Sequence, residues 1–279
     1  MGALVLARKE ALNEATALRI MAGMANESEY QSLDDVLEGV TAFEQEFLAK
    51  KDRRAVFATT YLAFTRVLGE WLEQGRFEDR EWMTSYGIAF ANLYRDAVLA
   101  YPPSDAARLP KSWRLAFDTS TREQGLILHD LVLGMNAHIN RDLPFALASV
   151  SIDPDRESRF RDHTLVNQAL ELAVDPVQER IARIYAPGLG LLDKVLGPLD
   201  ERVSSFSVTK ARDAAWEAAV GLVNARTGFE RMFVSKGIEG RASVLGRLVL
   251  APTGDHPWLV GLLRHLESKT PWWEVLRPE

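Results

Sequence analysis

Between residues 129 and 142 the chain places His129, Asp130, Asn136, His138, Asn140 and Asp142 among leucine, isoleucine and valine. Ligand-capable side chains in an apolar helical stretch must be partly buried. A buried polar group costs several kcal/mol (~2–7) unless it is paired or bound to a metal. His138 and Asp142 stand four residues apart, so on an α-helix they share one face, one turn above the other. An imidazole and a carboxylate so placed could bind a divalent metal together, or the carboxylate could orient the ring as an acid or base. His129, Asn136 and Asn140 recur at spacings of seven and four, which puts them on a second face, roughly opposite His138. Asp130 and His129 are candidate bases; Asn136 and Asn140 are candidate substrate contacts. Gly134, one turn before His138, costs a helix interior about 1 kcal/mol relative to alanine, which close approach of another helix or a ligand would explain.

The elements that must position this stretch, Thr121 to Ala148, read as helices throughout. Ser32 with Asp35 forms a capping-box pattern opening a helix to about Ala49. Phe57, Tyr61, Phe64, Leu68 and Trp71 lie on one helical stripe, which reads first as core, with Tyr61 also a candidate substrate contact. Gly75 ends that helix, and the next, Glu78 to Tyr101, carries Tyr86, Phe90, Tyr94 and Tyr101. Both aromatic helices could flank the central one and leave a large apolar cavity with a few convergent polar groups. The basic run Lys50, Lys51, Arg53 and Arg54 reads as a solvated turn. A short helix near Lys111 to Phe117 precedes the central one, and Leu143-Pro144 should break it, leaving a short helix Phe145 to Ser151.

Asp162 and His163 lie on a helix expected from Arg156 to Leu172. If it folds back antiparallel about position 149, the two residues approach His138, making His163, with Asp162, the candidate to complete a His, Asp, His metal set. Another helix should start at Asp175-Pro176 and reach Tyr185, with a further one over 189–196. Val208 to Ala225 follows, where Arg212 and Trp216 are one turn apart: Arg212 could hold an anionic group and Trp216 line the substrate. Asp213 and Glu217 read as exposed acids. Two C-terminal helices, 240–250 and 258–268, precede the aromatic tail Pro271-Trp272-Trp273, and His256 and His265 look like surface or capping residues.

The run LGMNAHINRDLPFAL resembles the signature of a bacterial family called domain of unknown function 5995, in which Gly-x-Asn-Ala-His-Ile-Asn-x-Asp-Leu recurs. The matching positions are Gly134, Asn136, Ala137, His138, Ile139, Asn140, Asp142 and Leu143. Trp113-Arg114 and Ala215-Trp216 are looser likenesses. The resemblance implies an all-helical, enzyme-like domain of undetermined activity. More distantly, His138-x-x-x-Asp142 followed by Pro144 is similar to a helix of the zinc phospholipase C and single-strand nuclease superfamily. Those proteins add a histidine shortly after the aspartate, where this chain has Leu147 and Ala148, a departure from a trinuclear zinc site.

Bulk properties fit a soluble, all-α domain. The 279 residues are 47% hydrophobic and 26% charged, with a net charge of -6. That balance argues against a nucleic-acid partner, which calls for basic patches. The absence of cysteine excludes disulfides, thiolate nucleophiles and cysteine-ligated metals, so any zinc, iron or manganese must use nitrogen and oxygen ligands. No signal peptide, membrane span, nucleotide loop or haem motif is evident, and a cytoplasmic location is the default expectation. We expect a single bundle-like domain of about ten helices over residues 1–279, with a helix within 1–30 and the tail 269–279 as peripheral elements. The function expected is an enzyme acting on a small, largely apolar molecule around His138 and Asp142, by metal-dependent hydrolysis. The alternatives are a metal-free cyclase or isomerase using the same pocket, or a non-catalytic helical binding or scaffold protein.

Overall fold

The computed structural model describes residue 23 and residues 26–101, 109–185 and 208–251. All regular structure among these is helical: α1 (Leu33–Ala49), α2 (Ala55–Glu73), α3 (Arg80–Leu99), α4 (Lys111–Thr121), α5 (Ile127–Asn136), a π-helical turn (Ala137–Asp142), α6 (Leu143–Ser149), α7 (Arg156–Tyr185), α8 (Val208–Asn224) and α9 (Gly228–Leu250). The expected N-terminal helix, the helices over 189–196 and 258–268, His256, His265 and the aromatic tail lie outside the described residues. No helix among the described residues is long and apolar enough to cross a membrane.

Helix starts follow local chemistry where it is present. Ser32 and Asp35 form the expected reciprocal capping box of α1, and Thr227 and Glu230 form a second one at α9. That second cap moves the start of the helix expected at 240 back to Gly228. Gly75, at φ 65°, turns the chain after α2, a conformation that favours glycine.

Two proline signals give way to tertiary structure. α7 runs unbroken from Arg156 to Tyr185, through position 176, where the sequence predicts a new helix. At Pro144 the chain does not break. In an α-helix the proline ring would press on the carbonyl of Asn140, four residues back. The turn before it instead widens to π geometry, and the Leu143 N–H bonds the His138 carbonyl five residues back. Helical packing therefore continues from Ile127 to Ser149, with His138 and Asp142 both inside the widened turn.

Burial is divided between two apolar cores. One gathers Phe43, Phe47, Phe57, Tyr94, Trp113 and Phe117; the other gathers Trp71, Trp82, Met83, Leu147, Ile152 and Trp216. The central helix is held between them: α2 and α4 pack against α5, while α3 and α8 pack against α6 and the π turn. Gly134 makes part of this possible. A Cβ there would come within 2.5 Å of Phe57 Cδ2 and 2.9 Å of its Cβ, so only glycine lets α2 lie this close.

Candidate active site

Every wall of the site is helical. Where the two cores meet, α2, α3, the π turn, α7 and α8 leave a cavity of about 200 Å³. The lining is almost wholly apolar: Phe57, Tyr61, Phe64 and Leu68 come from α2, and Met83, Tyr86 and Phe90 from α3. The α2 stripe read from sequence as core thus serves both purposes, since Trp71 is core while the four residues before it face the void.

His138 lies in this wall, 3% exposed. Its ring stacks flat on Phe90 (centroids 3.5 Å apart, planes at 8°) and meets Tyr61 edge-on at 4.6 Å. On one side of the ring, Nδ1 lies 3.2 Å from Asp142 Oδ2. A carboxylate only accepts, so Nδ1 carries the proton and Nε2 keeps its lone pair. Nε2 is buried and has no hydrogen-bond partner. Burial holds the imidazole below its usual pKa of 6.5, partly opposed by Asp142, so the neutral ring prevails at pH 7.

Asp142, wholly buried, is itself fixed from two sides. Trp113 Nε1 donates to Oδ2 at 2.7 Å, and Arg141 Nη1 donates to Oδ1 at 2.7 Å. The indole, the carboxylate and the imidazole form a chain that sets both the tautomer and the direction of the ring. The sequence marks Trp113 only as part of a Trp-Arg pair, and gives no sign of this bond across 29 residues.

A second polar group borders the same cavity. Arg212, 4% exposed, donates from Nε to Asn167 Oδ1 (2.8 Å) and from Nη2 to the His163 carbonyl (2.6 Å). His163 Nε2 donates to the Arg212 carbonyl at 3.2 Å, leaving Nδ1 to accept from the guanidinium or from Tyr86. Burial, then the neighbouring guanidinium, push the His163 imidazole well below its usual pKa, so it is a neutral structural partner.

The remaining sequence candidates are placed elsewhere. Asp130 is clamped by Arg53, whose Nε lies 2.6 Å from Oδ2, and accepts from Ser120 at 3.1 Å. The basic run read as a solvated turn is therefore half inside: Arg53 is buried, and Arg54 lies 4.3 Å from the centroid of the Phe47 ring. His129 Nδ1 accepts from the Leu126 N–H and caps α5. Asn140 donates to Asn136, and Asn136 donates to the Ala242 carbonyl, fastening α9 to α5. Trp216 packs on His163 at 5.2 Å, outside the cavity wall. Asp213 and Glu217 are exposed, as expected.

The expected metal donors do not come together. Asp162 accepts the Glu78 and Asp79 N–H groups, both at 2.8 Å, capping α3. His163 faces Arg212 rather than His138, because α7 packs along α2 while α8 takes the place beside the π turn and α6. A simple antiparallel hairpin about position 149 is thus not formed. Both oxygens of Asp142 are already engaged, and among the described residues no group of three or more histidines or acids is arranged to hold a metal ion. Among the described residues, then, His138 and Asp142 gain no third donor for the expected divalent ion.

These features define an all-α domain with an oriented, neutral histidine set into the wall of a largely apolar cavity. The chain belongs to the family of unknown function DUF5995, whose model matches residues 33–252, from the first residue of α1 to just past α9. No curated protein and no solved structure matches it.

Proposed function

We propose that the protein is an enzyme that moves a proton on a small, largely apolar molecule held in this cavity, with His138 as the base, as in an isomerisation or cyclisation. The observation that carries the reading is the buried, unpartnered Nε2 of His138 at the cavity wall, opposite an Nδ1–H that Asp142 fixes. A substrate proton passes to Nε2, and the imidazolium that forms is stabilised by the Asp142 carboxylate and by the face of Phe90. Return of the same proton to another substrate atom completes an isomerisation with no oxidant or reductant. Burial serves the chemistry twice: it keeps the resting ring neutral, and it excludes water that would compete for Nε2. Tyr61 lies against the imidazole, and its hydroxyl, kept protonated by burial, can donate to a substrate oxygen.

Hydrolysis through a divalent ion would need donors beyond His138 and Asp142, and the described residues do not bring a third. A purely structural role would explain a fully paired His138 better than one in the cavity wall whose Nε2 is left without a partner.

The test uses untargeted mass spectrometry of a small-molecule extract incubated in D₂O with the wild-type protein, His138→Gln or Asp142→Asn. The reading predicts at least one compound converted or deuterated by the wild type, and about 10²–10⁴-fold more slowly by the variants. A turnover that His138→Gln leaves unchanged would remove His138 from the chemistry.

A further inference from the structure

Among the described residues, Arg212 is a buried cation without an anion. Its contacts are the Asn167 side-chain oxygen, the Tyr86 hydroxyl, and the carbonyl and Nδ1 of His163, all of them neutral acceptors. No carboxylate among the described residues lies within ion-pair distance of it. Burying an unpaired charge is costly, and such charges are normally paired or fully hydrogen-bonded. The contrast within this chain is direct: Arg53, the other deeply buried arginine beside the central helix, has Asp130 against it.

Nor is the guanidinium saturated. Its Nη1 makes one contact, to Tyr86 Oη at 3.4 Å, which is long for a hydrogen bond, and a guanidinium has five N–H groups to place. Arg212 lines the cavity, and so do Val208 and Thr209 from the first turn of α8. The guanidinium thus brings positive charge to a lining that is mostly hydrocarbon and aromatic rings, with Glu171 as an exposed acid on the same lining. The cavity runs from Arg212 to His138 past Tyr86 and Phe90, whose ring centroids are 6.2 Å apart.

We infer that the cavity's ligand is an amphiphile with one carboxylate, its anionic end on Arg212 and its apolar body against α2 and α3 towards His138. The inference rests on the cavity being the substrate site. It adds a substrate class: small apolar carboxylic acids, in place of neutral hydrocarbons, alcohols or amines. Arg212 is a binding residue in this scheme and takes no part in proton transfer.

The probes are octanoate and octanol, equal in chain length and differing in charge, titrated calorimetrically into the full-length protein. Methyl NMR signals of Met83 and Met135, both in the cavity wall, report where each probe binds. The expected result is octanoate binding about tenfold or more tighter than octanol, with both probes shifting the two methionines. Arg212→Gln should abolish the preference while octanol binding persists, and Arg212→Lys, which keeps the charge and guards against loss of the fold, should retain part of it. Equal affinity of the two probes in the wild type would overturn the carboxylate inference and leave the role of His138 untouched. If neither probe shifts Met83 and Met135, the cavity is refuted as a ligand site, and with it both readings.

Discussion

Asp142 offers the sharpest test of how the site is built, because two substitutions there differ in which neighbours they abandon. The carboxylate accepts from the buried Trp113 indole and His138 through Oδ2, and from half-buried Arg141 through Oδ1. In the Asp142→Asn protein the new amide can turn its oxygen towards Trp113 and His138 and its nitrogen towards Arg141, which can reach water. The loss is one charge-assisted hydrogen bond, about 1.5–3 kcal/mol before hydration of Arg141 offsets part of it. Asp142→Ala leaves the Trp113 N–H buried and unpaired, frees His138 from its tautomer and opens a small void. Each unsatisfied buried group costs about 1–3 kcal/mol, so a total near 4–5 kcal/mol is expected. At roughly 2–4 °C per kcal/mol for a large domain, calorimetry should show a Tm drop of about 5 °C for Asn and 10–15 °C for Ala. Equal drops, or a more stable alanine variant, would refute the indole–carboxylate–imidazole chain.

Two further perturbations probe the surroundings. Gly134→Ala should gain about 1 kcal/mol of helix propensity and lose about 1–3 kcal/mol as Phe57 is driven back, a net loss that thermal melting and a shifted His138 ring environment by NMR would report. On pH, His138 and His163 are both held below the usual 6.5 in the folded protein, so the unfolded chain binds more protons there. Stability should be full above pH 6.5 and fall as pH drops through 6.5 towards the folded values, and His163→Gln should flatten that fall in denaturant titrations at pH 5 and 7.5.

How far the sequence can be read depends on the range of the interaction. Capping residues, aromatic spacing and the polar interruption at 129–142 act over a turn or two, and they locate α1, α2, α3 and the His138–Asp142 pair. Partners far along the chain leave no such trace. Nothing around Arg53, in a basic run at a turn, announces Asp130 seventy-seven residues on, and Asp130 therefore reads as a candidate base rather than a clamped anion. His163 is misplaced by the assumption that neighbouring helices pair, when α8 takes the position beside the π turn. The prolines mislead in the same sense: Pro144 and the one at position 176 signal a break locally, yet the helical path continues through both, by way of the π turn at the first. Gly134 is legible as a close approach, though only the fold identifies Phe57 as what approaches.

The central claim is that His138, in the cavity wall, rests neutral with an unpartnered Nε2. Long-range ¹⁵N–¹H correlation spectra of the histidine side chains at pH 7, with the His138 signals assigned by their absence in His138→Gln, test it most directly. The account predicts a protonated Nδ1 and an unprotonated Nε2 that shifts when octanoate enters the cavity. A protonated Nε2, or an imidazolium at that pH, would contradict it.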